Sequence, residues 1–347
     1  MSAAEVTGML EYLEKLCSFK APSGMEGGIT AYIAEQLAPY CDECFDALGN
    51  LIVFKKGASR AAKKVVLDAH TDEVGIIVTA INPDGSLRFS TVGGINTESL
   101  VSERVDIGGV YGVVQTRPVH LLSGDAKTKM PEKTALTIDI GAKNADDARK
   151  HVRVGDMGTF DSGIIRIGDG RIMGRALDDR VGCAIMMQLI KEDLPYDAWF
   201  TFSVQEEVGC RGAKTDTYAV NPDIAIVLET TTAADIAGNS EAKWVCALGK
   251  GAAVSFMDGG TMYDKALFNA AFDIGAEKQI DVQPKNIPSG GNDAMSIHLT
   301  REGVRTIAIS TPCRYLHSSS CVIDGHDAEA SLSLAREMLC KAAAGEL

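Results

Sequence analysis

The sequence lacks several features that would assign it to a common class. None of its apolar runs approaches the ~20 residues that span a membrane, and residues 1–6 lack the charged and apolar regions of a signal peptide. Basic residues are comparatively few, with 34 Lys and Arg against 47 Asp and Glu and a formal charge of −13. This excess of acid disfavours nucleic acid or an anionic membrane as a partner. We therefore expect a cytoplasmic protein that binds neither nucleic acid nor a membrane.

Signatures of covalent catalysis and of cysteine-based sites are also missing. The Gly-x-Ser-x-Gly turn that presents a serine nucleophile is absent, and no cysteine can be paired with a histidine at the end of a strand. Among the nine cysteines one CxxC spacing occurs, at Cys41–Cys44. Without a second such pair we expect a loop there rather than a zinc or redox site. Disulfides are not expected in a cytoplasmic chain of this length.

The pattern of helices and strands changes twice along the 347 residues. Residues 1–73 and 167–347 alternate helical and strand-like stretches, whereas residues 74–166 contain short β-like runs between Gly-rich or charged turns. The length alone suggests about two domains. We predict an α/β fold in which a mixed sheet is flanked by helices and interrupted by a β-rich domain inserted at residues 74–166.

Side chains that bind metals follow four strand-like runs. His70 follows residues 64–69, Glu206 and Glu207 follow residues 198–204, Glu229 follows residues 223–228, and His317 follows residues 305–310 after a connection. Ligands of open α/β sheets bind outside the carboxyl ends of the strands. Neighbouring extended residues point to opposite faces, so one glutamate of the pair can hold a metal while the other faces water or substrate. A Glu-Glu pair alone is usually solvated surface, but the other three runs favour a shared site.

Asp178 and Asp179 precede the apolar helical stretch 183–190. Acidic residues at that position can cap a helix, but the histidines and glutamates elsewhere favour a metal ligand. Imidazole and carboxylate donors suit Zn, Co or Mn. Five candidate ligands exceed the need of one catalytic zinc, which favours two metals sharing a carboxylate, about 3.5–4 Å apart. The glutamate of the Glu206–Glu207 pair that binds no metal would transfer a proton during hydrolysis, and we expect an amide substrate.

Five motifs in order give nearly the whole chain a close resemblance to the M42 family of metallo-aminopeptidases, which includes the TET and glutamyl aminopeptidases. They are residues His70–Gly75, Ala176–Gly182, Gln205–Gly209, Ser289–Ala294 and Arg314–Ser318, accompanied by Ser23–Glu26 and Gly49–Asn50. The resemblance implies a phosphorylase/hydrolase-like mixed sheet and an aminopeptidase that acts on peptides with two divalent metal ions per subunit.

The resemblance also implies roles for individual side chains. His70 and Glu229 would bind one metal, Glu207 and His317 the other, and Asp178 would bridge them, with Asp72 orienting His70 and Glu206 acting as general base. A cis peptide bond is implied between Asp178 and Asp179. The inserted segment 74–166 would be a dimerisation domain, and the dimers of such proteins often assemble into a hollow dodecamer.

Several positions depart from the family pattern near the expected substrate pocket. Glu229 stands where Asp is common, Asn292 follows Gly291 where Thr is usual, and residues 318–321 differ after His317. We take Gly291 and Asn292 as candidate substrate contacts. Arg314 is a further candidate, for which a structural salt bridge is an equal alternative.

The same ligands leave two other functions open. A two-metal deacylase or carboxypeptidase would act on N-acylated amino acids or on the C-terminus of a peptide. A non-catalytic assembly protein that retains the fold is the more distant alternative, because every expected ligand position holds a side chain able to bind a metal. The preferred N-terminal residue is not determined by these motifs.

Overall fold

Two β-structures organise the computed structural model, which describes residues 3–124 and 129–347. The larger is a mixed sheet of strands β1 (Asp42–Phe45), β2 (Leu51–Lys55), β3 (Val65–His70), β10 (Ile165–Ile167), β11 (Arg171–Gly174), β12 (Ala198–Ser203), β13 (Ile224–Thr232), β14 (Ala252–Val254), β15 (Val282–Pro284), β16 (Arg305–Arg314) and β17 (Cys321–Asp324). The smaller is a closed barrel of β4 (Gly75–Ile81), β5 (Leu87–Val92), β6 (Arg104–Ile107), β7 (Val110–Gln115), β8 (Thr137–Asp139) and β9 (Met157–Phe160).

Helices cover the large sheet. They are α1 (Ala3–Leu16), α2 (Gly27–Leu37), α4 (Leu177–Lys191), α5 (Arg211–Val220), α6 (Lys265–Lys278), α7 (Ala294–Ile297) and α8 (Gly325–Ala344), while the short α3 (Ala145–Ala148) precedes β9. Among the described residues, no helix combines the length and apolarity needed to cross a membrane.

The centre of the large sheet is parallel. Its main path runs β1-β2-β12-β3-β13-β16-β17-β11-β10, and β12, β3, β13 and β16 are mutually parallel neighbours. All six residues of β3 are buried, because the central strands of a parallel sheet are covered on both faces. Helix α4, which packs against β3 and β13, is itself almost entirely buried. The mixed α/β fold predicted from the sequence is confirmed, and the parallel strands direct their carboxyl ends to one edge.

The barrel has an apolar core of its own. Ile76, Leu87, Val105 and Ile138 are fully or almost fully buried inside it, in a cluster separate from the core of the large sheet. Strand β10 pairs with β11 in the large sheet, although its first two residues fall within the predicted insertion.

One local prediction was wrong. The Cys41–Cys44 spacing was expected in a loop, but Cys44 lies in β1, which pairs with β2, and both thiols are free. No side chain caps the start of α2, and Ser23, which lies three residues before Glu26, donates a hydrogen bond to Asp72.

Candidate metal centre

The carboxyl edge of the parallel strands brings the candidate ligands together. His70 is the last residue of β3, and Glu207 lies four residues after the end of β12. His317 follows β16 by three residues in the left-handed conformation, with φ +59°. Glu229 was expected just after its strand, but it lies within β13, paired with Ser310 of β16. Its side chain nevertheless reaches the same edge, where it approaches His70.

Asp178 stands between the two histidines. Its Oδ1 lies 3.2 Å from Nε2 of His70, and its Oδ2 lies 3.2 Å from Nε2 of His317. The peptide bond to Asp179 is cis, as predicted, and both aspartates have non-helical conformations within the first turn of α4. Asp179 plays the capping role that the sequence left open, because its Oδ1 accepts a hydrogen bond from the amide of Gly182.

The donors fall into two groups that share Asp178. The first ligand group is His70, Asp178 and Glu229, and the second is Asp178, Glu207 and His317; within each, the donor atoms lie within 4.8 Å of one another.

Measured separations suit a metal ion in each group. For a tetrahedral ion with bonds of about 2.1 Å, a nitrogen and an oxygen donor lie about 3.4 Å apart. The corresponding distances are 3.2 Å and 3.6 Å from His70 to Asp178 and Glu229, and 3.2 Å from His317 to both Asp178 and Glu207. Oε1 of Glu207 is buried and has no hydrogen-bond partner among the described residues. The residues present therefore fit two divalent ions.

Each of these groups shifts the pKa of its neighbours. Burial alone would lower the pKa of the His317 imidazole, but contacts with Asp178 and Glu207 raise it to about 10. The pKa of His70 is also raised, because Glu229 and Asp178 outweigh its burial. Burial raises the pKa values of Glu207 and Glu229 to about 8. A cation placed among them would replace the imidazole protons as the counter-charge of the carboxylates.

Asp72 connects the centre to the loop after β12. It is fully buried, and its carboxylate accepts hydrogen bonds from the backbone amides of Glu206 (3.0 Å) and Glu207 (3.1 Å) and from the hydroxyl of Ser23 (2.6 Å). Nδ1 of His70 lies 3.2 Å from the backbone carbonyl of Asp72 and 3.4 Å from its Oδ1. Asp72 thus fixes the positions of a histidine ligand and of both glutamates relative to one another.

Glu206 lies beside the ligand groups and belongs to neither. Burial raises the pKa of its carboxyl group well above the usual value, and Glu229 and Asp293 act in the same direction. Its Oε1 lies 3.4 Å from Sγ of Cys210. A carboxyl group of raised pKa next to a metal centre is suited to proton transfer.

The barrel also contacts the second ligand group, which the sequence did not suggest. Nδ1 of His317 donates a hydrogen bond to the carbonyl of Gly94 (2.8 Å), in the segment after β5. Gly93 has φ +82°, and a Cβ there would lie 2.9 Å from Val74 and 3.2 Å from the Cβ of Glu207. The turn therefore has room only for glycine and fixes the ring orientation of His317.

A buried ionic cluster supports the turn before α4 and was likewise missed. The guanidinium of Arg175 donates two hydrogen bonds of 2.6 Å to Glu73, which follows β3, and further bonds to the carbonyls of Cys17 and Phe19. Arg180, fully buried in α4, lies 3.5 Å from the same carboxylate. Glu73 and Arg175 are 102 positions apart in the sequence. Opposite charges at that separation do not predict an ion pair, because the sequence does not specify which acidic and basic residues will meet.

A pocket of ≈ 140 Å³ adjoins Glu229. Gly291 and Asn292 line it, together with Lys285, which is only 7% exposed. Arg314 instead forms a two-point ion pair with Asp235, at 2.7 Å and 2.8 Å, which corresponds to the salt-bridge alternative. A larger surface groove between α5 and α7 contains none of the candidate ligands.

Known proteins resemble this chain over nearly its full length. The family model described as M42 glutamyl aminopeptidase matches residues 49–334. The lysyl aminopeptidase of Pyrococcus furiosus is 32% identical over 341 residues, covering 95% of this chain and 96% of the relative.

Two solved structures show the same fold at similar identity. A TET aminopeptidase from a marine-sediment Thaumarchaeota archaeon has a TM-score of 0.92 at 32% identity, covering 98% of this chain and 97% of that one. The TET1 peptidase of Pyrococcus horikoshii, described as able to assemble into a tetrahedron or a large octahedral shell, has a TM-score of 0.83 at 30% identity, covering 96% and 99%. The resemblance inferred from the motifs is confirmed. The chain belongs to the M42 glutamyl aminopeptidase family and is a hydrolase of the aminopeptidase class.

Proposed function

We propose that this protein is a two-metal aminopeptidase that removes N-terminal residues from short peptides. The observation that carries the proposal is the pair of ligand groups sharing Asp178, with Glu206 beside them. The aminopeptidase names of the relatives favour this function over a deacylase or carboxypeptidase and over a non-catalytic assembly protein.

The ligand groups divide the metals between them. His70 and Glu229 would hold one ion, Glu207 and His317 the other, and Asp178 both; the nitrogen and oxygen donors suit Zn²⁺, Co²⁺ or Mn²⁺. Divalent ions at such sites polarise a carbonyl group and lower the pKa of an attacking water. Asp72 keeps Nδ1 of His70 oriented, so that Nε2 faces the site.

Glu206 acts as the general base in this proposal. Its carboxylate accepts a proton from the attacking water and then delivers that proton to the nitrogen of the departing peptide. Burial raises its pKa, which makes it a better proton acceptor than an exposed glutamate. The backbone amide of Glu206 is fixed by Asp72, so the side chain starts from a defined position.

The pocket beside Glu229 is the proposed site for the N-terminal side chain. Its only charged lining groups within the described residues are Glu229 and Lys285. Glu229 is assigned to a metal, so the Lys285 ammonium is the charge available to substrate. The family description names a glutamyl enzyme and one relative a lysyl enzyme, so membership leaves the preference open. Lys285 supports a preference for acidic N-terminal residues, with Gly291 and Asn292 forming the pocket wall.

Descriptions of related structures support a proposal about assembly. A related structure is described as a dodecamer, at 28% identity and a TM-score of 0.82. We propose that this chain forms dimers through the β-rich domain of residues 74–166, with 1–73 and 167–347 as the catalytic domain, and that the dimers associate further into a dodecamer.

Hydrolysis of matched peptides tests the function. Protein stripped with a chelator is resupplied with Zn²⁺, Co²⁺ or Mn²⁺ and given peptides with free or acetylated N-termini. The proposal predicts cleavage of the free peptides alone, and only with metal. Cleavage of acetylated peptides would establish the deacylase alternative, and bound metal without hydrolysis of either set would contradict an enzymatic role.

A further inference from the structure

A third group of potential ligands lies next to the two-metal centre. Glu206, Cys210 and Asp293 each offer one donor atom, and these atoms lie within 4.8 Å of one another. Cys210 is buried at the start of α5, and Asp293 is buried immediately before α7. Two different elements therefore direct a thiol and a carboxylate toward Glu206. Neither Cys210 nor Asp293 belongs to the first or the second ligand group.

Asp293 contributes a second buried carboxyl group to this cluster. The residue is 1% exposed, and its Oδ2 accepts a hydrogen bond from the hydroxyl of Ser203. Its Oδ1 is buried and has no hydrogen-bond partner among the described residues. The buried carboxyl group of Asp68 also contacts Asp293. A proton shared with Asp68 satisfies this oxygen in the absence of a cation, and a bound cation would replace that proton.

The contact between Cys210 and Glu206 has the length expected of two ligands of one ion. With a metal–sulfur bond of about 2.3 Å and a metal–oxygen bond of about 2.1 Å, tetrahedral donors lie about 3.6 Å apart. The observed distance from Sγ to Oε1 is 3.4 Å. A thiol hydrogen bond gives the same distance, and the cadmium titration described below distinguishes the two.

We propose that Glu206, Cys210 and Asp293 form a third, inhibitory cation site for a thiophilic divalent ion such as Zn²⁺ or Cd²⁺. A sulfur donor selects such ions over Mg²⁺ or Mn²⁺. Binding releases the thiol proton of Cys210 to solvent and engages the Glu206 carboxylate. The inhibition, although not the binding, rests on the proposed role of Glu206 as general base: the carboxylate that holds the ion can no longer accept a proton from water.

Cadmium distinguishes this site from the two-metal centre. The first and second ligand groups contain only nitrogen and oxygen donors, so they give no thiolate-to-cadmium absorption in the ultraviolet. The third group contains a thiol and does. The full-length protein, loaded with Mn²⁺, is titrated with Cd²⁺ while absorbance, bound cadmium and peptide hydrolysis are followed. Cys210→Ala and Cys210→Ser test the site, and Cys44→Ala, at an exposed thiol, is the matched control.

The expected result is one thiolate–cadmium band per chain in the wild type and in Cys44→Ala, and no such band in either Cys210 variant. Inhibition by Cd²⁺, measured against each variant's own rate without cadmium, should be at least about tenfold weaker in the Cys210 variants. A band that survives in both Cys210 variants overturns the site. A band that depends on Cys210 without any inhibition of hydrolysis refutes the inhibitory role. If peptides are not cleaved at all, the absorbance still decides whether the site exists, so the two proposals fail separately.

Discussion

Replacing Lys285 with Met should remove the preference for acidic N-terminal residues. Lys285 is 7% exposed, and its ammonium group donates a hydrogen bond of 2.8 Å to the carbonyl of Ser289. Burial lowers its pKa, while Asp258 and Glu229 act in the opposite direction. When metal occupies Glu229, the ammonium is left with a neutral carbonyl as its hydrogen-bond acceptor. An acidic side chain entering the pocket would add a charged hydrogen-bond acceptor beside the ammonium.

The size of the effect follows from the burial of that ammonium. A hydrogen bond to a charged group contributes about 1.5–3 kcal/mol in a protein, and about 1.4 kcal/mol corresponds to a factor of ten in rate. The ratio of kcat/KM for a Glu substrate to that for its Gln analogue should therefore fall roughly 10- to 150-fold in Lys285→Met. The loss should appear mainly for acidic substrates, because a Leu substrate makes no use of the ammonium.

The assay compares chromogenic substrates that carry N-terminal Glu, Asp, Gln, Leu or Lys. Lys285→Met is measured beside Lys250→Met, which removes an exposed lysine on the same chain. A wild type that prefers Leu or Lys substrates, or a Lys285→Met variant with unchanged ratios, would refute the assignment of this pocket to an acidic side chain.

Three further results are expected. Gly93→Ala should lower the affinity of the second ligand group for its ion about 10- to 100-fold. Gly109→Ala should leave that affinity unchanged, because the Cβ added there meets no atom within 4 Å. Equal metal affinities in the two variants would contradict the proposed effect of the barrel on the metal centre. His317 has a pKa of about 10 without metal and is charged at pH 7. Metal binding should therefore release protons, and the affinity for metal should rise with pH. Heats of binding that are the same in buffers of different ionisation enthalpy would exclude this proton release. Arg175→Met should lower the free energy of unfolding of the metal-free protein by about 3 kcal/mol in urea, because the carboxylate of Glu73 remains buried, and a change below about 1 kcal/mol would contradict it.

The convergence of the ligands was predictable because strand position determines it. Residues that follow parallel strands meet at one edge, and the order of strand-like runs alone therefore places His70, Glu207 and His317 in one region. The end of β13 was missed because the apolar run stops at Leu228 and the three threonines Thr230–Thr232 are polar. Threonine is nevertheless favourable in strands, and these residues continue the pairing of β13 with β16 as far as Cys313.

Contacts between residues that are far apart in the chain could not be predicted from the sequence. Gly94 and His317 are 223 positions apart, and Arg314 and Asp235 are 79 apart. No periodicity relates such pairs, since packing of the whole chain decides which polar groups meet. The pocket position of Lys285 was missed for the same reason, because a single lysine before a Gly-rich turn is usually solvated.

The most direct test of the central claim compares Glu206→Gln with Glu207→Gln. Each protein is stripped of metal, titrated with Mn²⁺, and assayed with a peptide that has a free N-terminus. The account predicts that Glu206→Gln binds about two ions per chain with nearly wild-type affinity while kcat falls about 10²- to 10⁴-fold, and that Glu207→Gln loses the ion of the second ligand group. A Glu206→Gln protein that binds both ions and hydrolyses peptides at the wild-type rate would contradict the assignment of Glu206 as the general base.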